Sequence, residues 1–126
     1  MAFVTANGVR IHYEDEGTGD RTFVFVHGGA CDRRAWGPQV ANLSRSYRCL
    51  SFDLRGCGES EAAPPYDLTQ QADDLAGALR QLNVTGAIVV GHSLGGLTAL
   101  VLNDRHPDLV SGIVTGDSPL SPAGVD

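Results

Sequence analysis

Two kinds of apolar pattern run along the chain. Near the N-terminus Val9, Ile11 and Tyr13 alternate with polar residues, a period of two that predicts a strand with one wet face. The preceding AFVTA reads as its hairpin partner, and Asn7-Gly8 between them tolerates the positive φ of a two-residue turn. The unbroken apolar run 23–26 then predicts a strand covered on both faces. Trp36, Val40 and Leu43 recur at helical spacing, so a short helix follows despite Gly37 and Pro38 near its start. YRCLSFD resumes as a strand, and EAAPPYD is a Pro-rich loop.

Leu68, Ala72, Leu75, Leu79 and Leu82 recur at steps of four, three, four and three, one stripe of an amphipathic helix that Asp67 is placed to cap. GAIVV is another buried strand, and residues 93–105 form an apolar helix stopped before Pro107. LVSGIVTGD is the last strand, and SPLSPAGVD is loop. A hairpin followed by β-α-β-α-β-α-β predicts an α/β fold: a mostly parallel sheet with an initial antiparallel hairpin and helices on both faces. The length of 126 residues suits one domain, with no internal repeat or linker.

Composition narrows the partners. Fifteen acids against nine bases give a net charge of −6, with no basic cluster, which argues against nucleic acid and anionic membranes. The three cysteines lack C-x-x-C spacing, so neither a disulfide framework nor a zinc site is expected, and a reducing compartment fits better. MAFVTANGVR carries no signal-like pattern and no apolar run approaches the ~20 residues of a membrane span, so the expectation is a cytoplasmic protein.

The candidate chemistry lies where the apolar period changes. Strand AIVV, then Gly91-His92-Ser93-Leu94-Gly95, then a helix, is the arrangement of a nucleophile elbow. A sharp turn strains the serine backbone, so its neighbours must lack Cβ atoms that would strike strand or helix. The turn lifts the hydroxyl above the carboxyl ends of the strands and aims the Leu94 N–H at an oxyanion. The competing reading is a serine that only caps the helix. Earlier, FVFVHGGA ends a buried strand in His27-Gly28-Gly29, where acyl transfer needs its second backbone donor. As a phosphate loop the same stretch lacks G-x-G-x-x-G and G-K-[ST].

Taken in order, NGVRIHYEDEGTGD, the HGG turn, Trp36 in the next helix, FDLRGCGES and GHSLGG resemble the α/β-hydrolase superfamily, in its lid-bearing, esterase-like branch, over essentially the whole chain. The resemblance implies a serine hydrolase of a small-molecule acyl substrate, with Ser93 as nucleophile, Gly29 and Leu94 as oxyanion-hole donors, and neither metal nor organic cofactor. Relatives similar to haloalkane dehalogenases and epoxide hydrolases carry aspartate at the elbow, which Ser93 argues against. The resemblance further implies that His27 orients its loop by hydrogen bonding and that the His92 position is variable packing; Cys31, near the oxyanion loop, is expected to line the pocket. Asp53 and Arg55 look like a catalytic ion pair but are expected to fix a structural turn by pairing with each other, helped by Gly56 and Gly58.

Triad partners in such proteins follow in the order Ser, acid, His. Asp117, ending the last strand, is the candidate acid, or else sits at the pocket floor or starts the lid. His106, at the far end of the helix that Ser93 begins, should lie roughly 20 Å from the hydroxyl at 1.5 Å per residue, beyond the reach of a general base. The base is therefore expected from outside these residues. The chain reads as an N-terminal portion whose lid and C-terminal part are absent, the catalytic histidine coming from that part or from a second polypeptide. SGIVTGD would then be an uncovered sheet edge. The alternative is a catalytically incomplete fragment or a ligand-binding module of the same fold.

Overall fold

A computed structural model describes residues 2–29 and 31–117, so the expected C-terminal loop lies outside the described residues. Strands β1 (Ala2–Ala6) and β2 (Val9–Glu16) pair antiparallel around Asn7 (φ 49°) and Gly8 (φ 81°), the positive-φ turn expected from that pair. Then come β3 (Thr22–Val26), a 3-10 turn (Arg33–Trp36) running into α1 (Gly37–Leu43), β4 (Arg48–Phe52), α2 (Leu68–Gln81), β5 (Ala87–His92), α3 (Leu94–Arg105) and β6 (Val110–Gly116). Trp36 thus sits in the 3-10 turn, because Pro38 can only occupy the first turn of the α-helix. The Asp67 carboxylate accepts from Gln70 N–H and caps α2 as expected.

The sheet order is β1-β2-β4-β3-β5-β6, with β3, β4, β5 and β6 parallel and β2 antiparallel to β4. β3 is covered on both faces. Val24 and Val26 join Leu75 and Leu79 of α2 and Ala99 and Leu102 of α3, whereas Phe25 packs with Val40 of α1 and with Trp36. The chain steps from β3 to β4 on one side and then returns past β3 to β5 and β6 on the other. Right-handed crossovers therefore place α1 on one face and α2 and α3 on the opposite face. The connections leaving β3 and β5 diverge, which opens a crevice between their carboxyl ends. β6 is a sheet edge among the described residues, with Val114 53% exposed.

The wet face expected for β2 is only partly wet. His12 is 1% exposed, because its Nδ1 lies 3.1 Å from Asp53 Oδ2 and its ring stands edge-on to Phe3.

Candidate active site

β5 runs directly into α3 through a single residue. Ser93 has φ 57° and ψ −123°, a conformation costly for any residue with a Cβ. The turn is held by Ser93 N–H to Gly116 O (2.9 Å) and Gly96 N–H to Ser93 O (3.0 Å). The Ser93 side chain makes no capping bond to α3, contrary to the reading of it as a helix cap.

The flanking glycines meet the expected requirement. A Cβ on Gly91 would overlap the Gly95 carbonyl and approach Gly96 N to 2.6 Å, and one on Gly95 would overlap Val26 O and lie 2.6 Å from His27 O. The end of β3 is as close: a Cβ on Gly28 would sit 3.2 Å from Ser93 Cβ, and one on Gly29 would sit 3.2 Å from Leu94 Cδ1. Ser93, Leu94, Gly28 and Gly29, distant in sequence, therefore meet at the crevice between β3 and β5. Leu94 N–H stands at the N-terminal end of α3, where backbone donors and the helix dipole favour a developing negative charge.

His27 is 1% exposed and lies behind the glycine turn. Its Nε2 accepts from Leu54 N–H (3.0 Å), so the ring proton is on Nδ1, which donates to Gly28 O (2.7 Å). That is the loop-orienting bond expected of it. His92 packs edge-on to Trp36 (6.5 Å between centroids). A cavity of about 230 Å³ opens between α1 and the end of β5, lined by Cys31, Ala35, Trp36, Gln39 and His92, which places Cys31 in the pocket as expected. Asp117 directly follows Gly116, the partner of His92 in the β5–β6 register, and is exposed with φ 51°. It directly follows the strand neighbouring the elbow, at the carboxyl end of the sheet.

His106 is not brought to the site. It follows α3, and its Nε2 lies 2.9 Å from Asp73 Oδ1 in a cluster with Arg105. The Arg105 guanidinium, then His106, hold the Asp73 carboxyl below its usual range.

The expected Asp53–Arg55 pairing does not form. Asp53 turns to Arg33 (Nη1–Oδ2 2.8 Å) and His12, while Arg55 makes a two-pronged bond to Asp74 (2.8 and 2.9 Å). Arg55 lies in the turn that follows Asp53, and each group takes a partner from a different element. Both remain structural, 0% and 5% exposed. Ser60, His12 and Asp53 also adjoin one another, but the Ser60 hydroxyl donates to Asp53 O (2.6 Å) and accepts from His12 N–H (2.8 Å). Both bonds are to main chain and not to the imidazole, so this trio is a brace.

The loop beyond the glycine turn is capped by Asp32, which accepts from Arg34 N–H and from the Arg34 guanidinium. The Arg34 side-chain bond chiefly pulls the Asp32 carboxyl from 3.8 down to about 2. A depressed carboxyl stabilises the fold above its unfolded value and loses that contribution as pH falls through its folded value. Asp32→Asn is therefore expected to cost under about 1 kcal/mol at pH 7, because Arg34 is in solvent. Urea melts should show the gap to the parent closing between pH 4 and about 2.

Among the described residues no group of three or more His, Cys, Asp or Glu is gathered as a metal would need, and no helix is long and apolar enough to cross a membrane. Residues 21–125 match the family model described as alpha/beta hydrolase fold. The strigolactone esterase RMS3 of Pisum sativum is 35% identical over 111 residues, 82% of this chain and 41% of that protein. A thermophilic esterase from Thermogutta terrifontis superposes with a TM-score of 0.86 at 32% identity, covering 97% of this chain and 48% of that one. An epoxide hydrolase from Vigna radiata does so with a TM-score of 0.89 at 28% identity, over 96% and 39%. The chain thus spans less than half the length of each of these three proteins. Sequence match, strand order and the turn at Ser93 agree, and the chain belongs to the α/β-hydrolase family.

Proposed function

We propose that this chain carries the nucleophile and the oxyanion hole of a serine hydrolase acting on an ester or related acyl compound. The observation that carries the reading is the strained Ser93 (φ 57°) against the Gly28-Gly29 turn. Ser93 Oγ attacks the carbonyl carbon, and the Gly29 and Leu94 N–H groups hold the oxygen as it becomes negative. The alcohol leaves, and water then releases the acyl group from Ser93. A histidine from outside these residues takes the serine proton and later activates that water, with Asp117 as the candidate acid behind it. The substrate is a small acyl compound, the histidine belongs to a C-terminal part or a second polypeptide, and the compartment is the cytoplasm. The similarity to both an esterase and an epoxide hydrolase leaves the reaction to the elbow residue, and serine there supports acyl transfer.

A second reading, a ligand-binding module without hydrolysis, is favoured by one observation: His12, His27 and His106 are bonded to Asp53, Leu54 and Asp73. A fluorophosphonate probe separates the two. Together with the polypeptide that supplies the histidine, the chain is expected to gain one adduct by intact mass, and Ser93→Ala none. Labelling that survives Ser93→Ala overturns the nucleophile assignment. A lone 13.3 kDa species that stays unlabelled supports the second reading.

A further inference from the structure

The two proposed donors are held very differently. Leu94 N–H is part of a helix, whereas Gly29 lies in the loop leaving β3, outside any strand or helix. What fixes that loop is a pair of anchors from consecutive residues at the end of β4. At its start, Leu54 N–H bonds His27 Nε2 (3.0 Å), and His27 Nδ1 donates to Gly28 O (2.7 Å). At its far end, Arg33 N–H donates to Asp53 Oδ1 (2.8 Å) and Arg33 Nη1 to Asp53 Oδ2 (2.8 Å). Arg33 is steadied in turn by Glu14, whose Oε1 lies 3.1 Å from its Nε.

Asp53 is 0% exposed, and its carboxylate also takes Glu59 N–H (3.0 Å) and His12 Nδ1 (3.1 Å). Four donors therefore converge on two oxygens, about the full accepting capacity of an ionised carboxylate. A Cβ on Gly58 would overlap this group, so the loop that carries Glu59 closes directly over it.

We propose that Asp53 is a positioning residue of the oxyanion hole: through Arg33 it fixes residues 31–33 beyond the glycine turn and so the place where the Gly29 N–H meets the oxyanion formed on Ser93. The inference rests on the proposed role of Ser93 and adds a residue to it. Asp53 touches no reacting atom, since all of its partners are internal. Its contribution is the aim of a donor, and an error of about 1 Å in such a group is worth roughly a hundredfold in rate. Charge is required as well as shape. An asparagine would turn an amide N–H₂ toward Arg33, Glu59 N–H or His12, setting donor against donor.

The test is binding of phenylboronic acid to the chain together with the polypeptide that supplies the histidine, followed by ¹¹B NMR. Ser93 Oγ forms a bond to boron, the hydroxyl proton goes to solvent, and the boron becomes a tetrahedral anion with an oxygen facing Gly29 and Leu94. Arg33→Gln removes the side-chain half of the clamp and should weaken adduct formation about tenfold, with Asp53→Asn weaker still, up to about a hundredfold. Arg33→Lys, which returns one charged donor to Asp53, should recover part of the loss. Asp73→Asn, on α2 where it pairs with Arg105 and His106 at the far end of α3, should lower the melting temperature without changing the boronate affinity.

An Arg33→Gln protein that melts cooperatively and binds as tightly as the parent overturns the proposal, whether or not Asp53→Asn folds. So does a loss of affinity that tracks melting temperature in every variant, Asp73→Asn included. Absence of any adduct with the parent overturns the reading of Ser93 and this proposal with it, an outcome distinct from equal binding by parent and variant.

Discussion

Gly95→Ala is expected to lower stability by about 3 kcal/mol or more, enough to leave most of the chain unfolded or insoluble. The added methyl would collide with Val26 O and lie 2.6 Å from His27 O, both backbone atoms of β3 that cannot swing aside. Relief would require α3 to lift off the sheet, and its own Ala99 and Leu102, fully buried on its inner face, would lose their packing. Gly37→Ala is the control. That glycine has helical φ and ψ at the start of α1 and nothing within 4 Å of its Cβ position. There the substitution should be neutral or add up to about 1 kcal/mol, because alanine is the better helix former. Urea midpoints of the two variants against the parent decide it, and a Gly95→Ala midpoint within error of the parent would mean the packing at the turn is looser than described.

Asp74→Asn should cost about 3–5 kcal/mol, because it leaves a buried guanidinium without its counter-charge. Arg55 and Asp74 are 5% and 2% exposed, and the two-pronged bond between them is only part of the network. Asp74 also accepts from Asn7 Nδ2 (3.0 Å) and Gln70 Nε2 (2.9 Å), while Arg55 donates to Ala63 O (3.1 Å). The pair ties the first hairpin, the Pro-rich loop and α2 to one point. The double variant Arg55→Met, Asp74→Leu removes both charges and keeps the volume, so it should be more stable than Asp74→Asn alone. Chemical denaturation of Arg55→Met, Asp74→Leu and their double gives the coupling. Simple additivity of the single losses would show that the two groups act separately.

Much of this architecture is legible in the chain itself. A period of two beside Asn7-Gly8, unbroken apolar runs, and a leucine stripe behind Asp67 each have one local solution, and each is found. The turn at Ser93 is legible for the same reason: only glycine satisfies the contacts at 91 and 95, so the requirement is written in residue type. What was not legible is the choice of polar partner. Asp53 and Arg55 stand two apart, which suggests a local pair, yet their partners Arg33 and Asp74 lie 20 and 19 residues away in opposite directions. His12 reads as a solvent-facing residue by alternation, and only the arrival of Asp53 from 41 residues on explains its burial. Local pattern reports which face a side chain leaves by. It carries no record of which distant group will be waiting there.

Trp36 is the only tryptophan in the chain, and it lines the cavity beside the turn, 6.5 Å from the His92 ring. The molecule therefore has a built-in optical reporter at its candidate site. Any solute entering that cavity, and any shift of the 3-10 turn that follows the Arg33 clamp, changes the surroundings of a single fluorophore. Its emission can be followed without label, substrate or turnover.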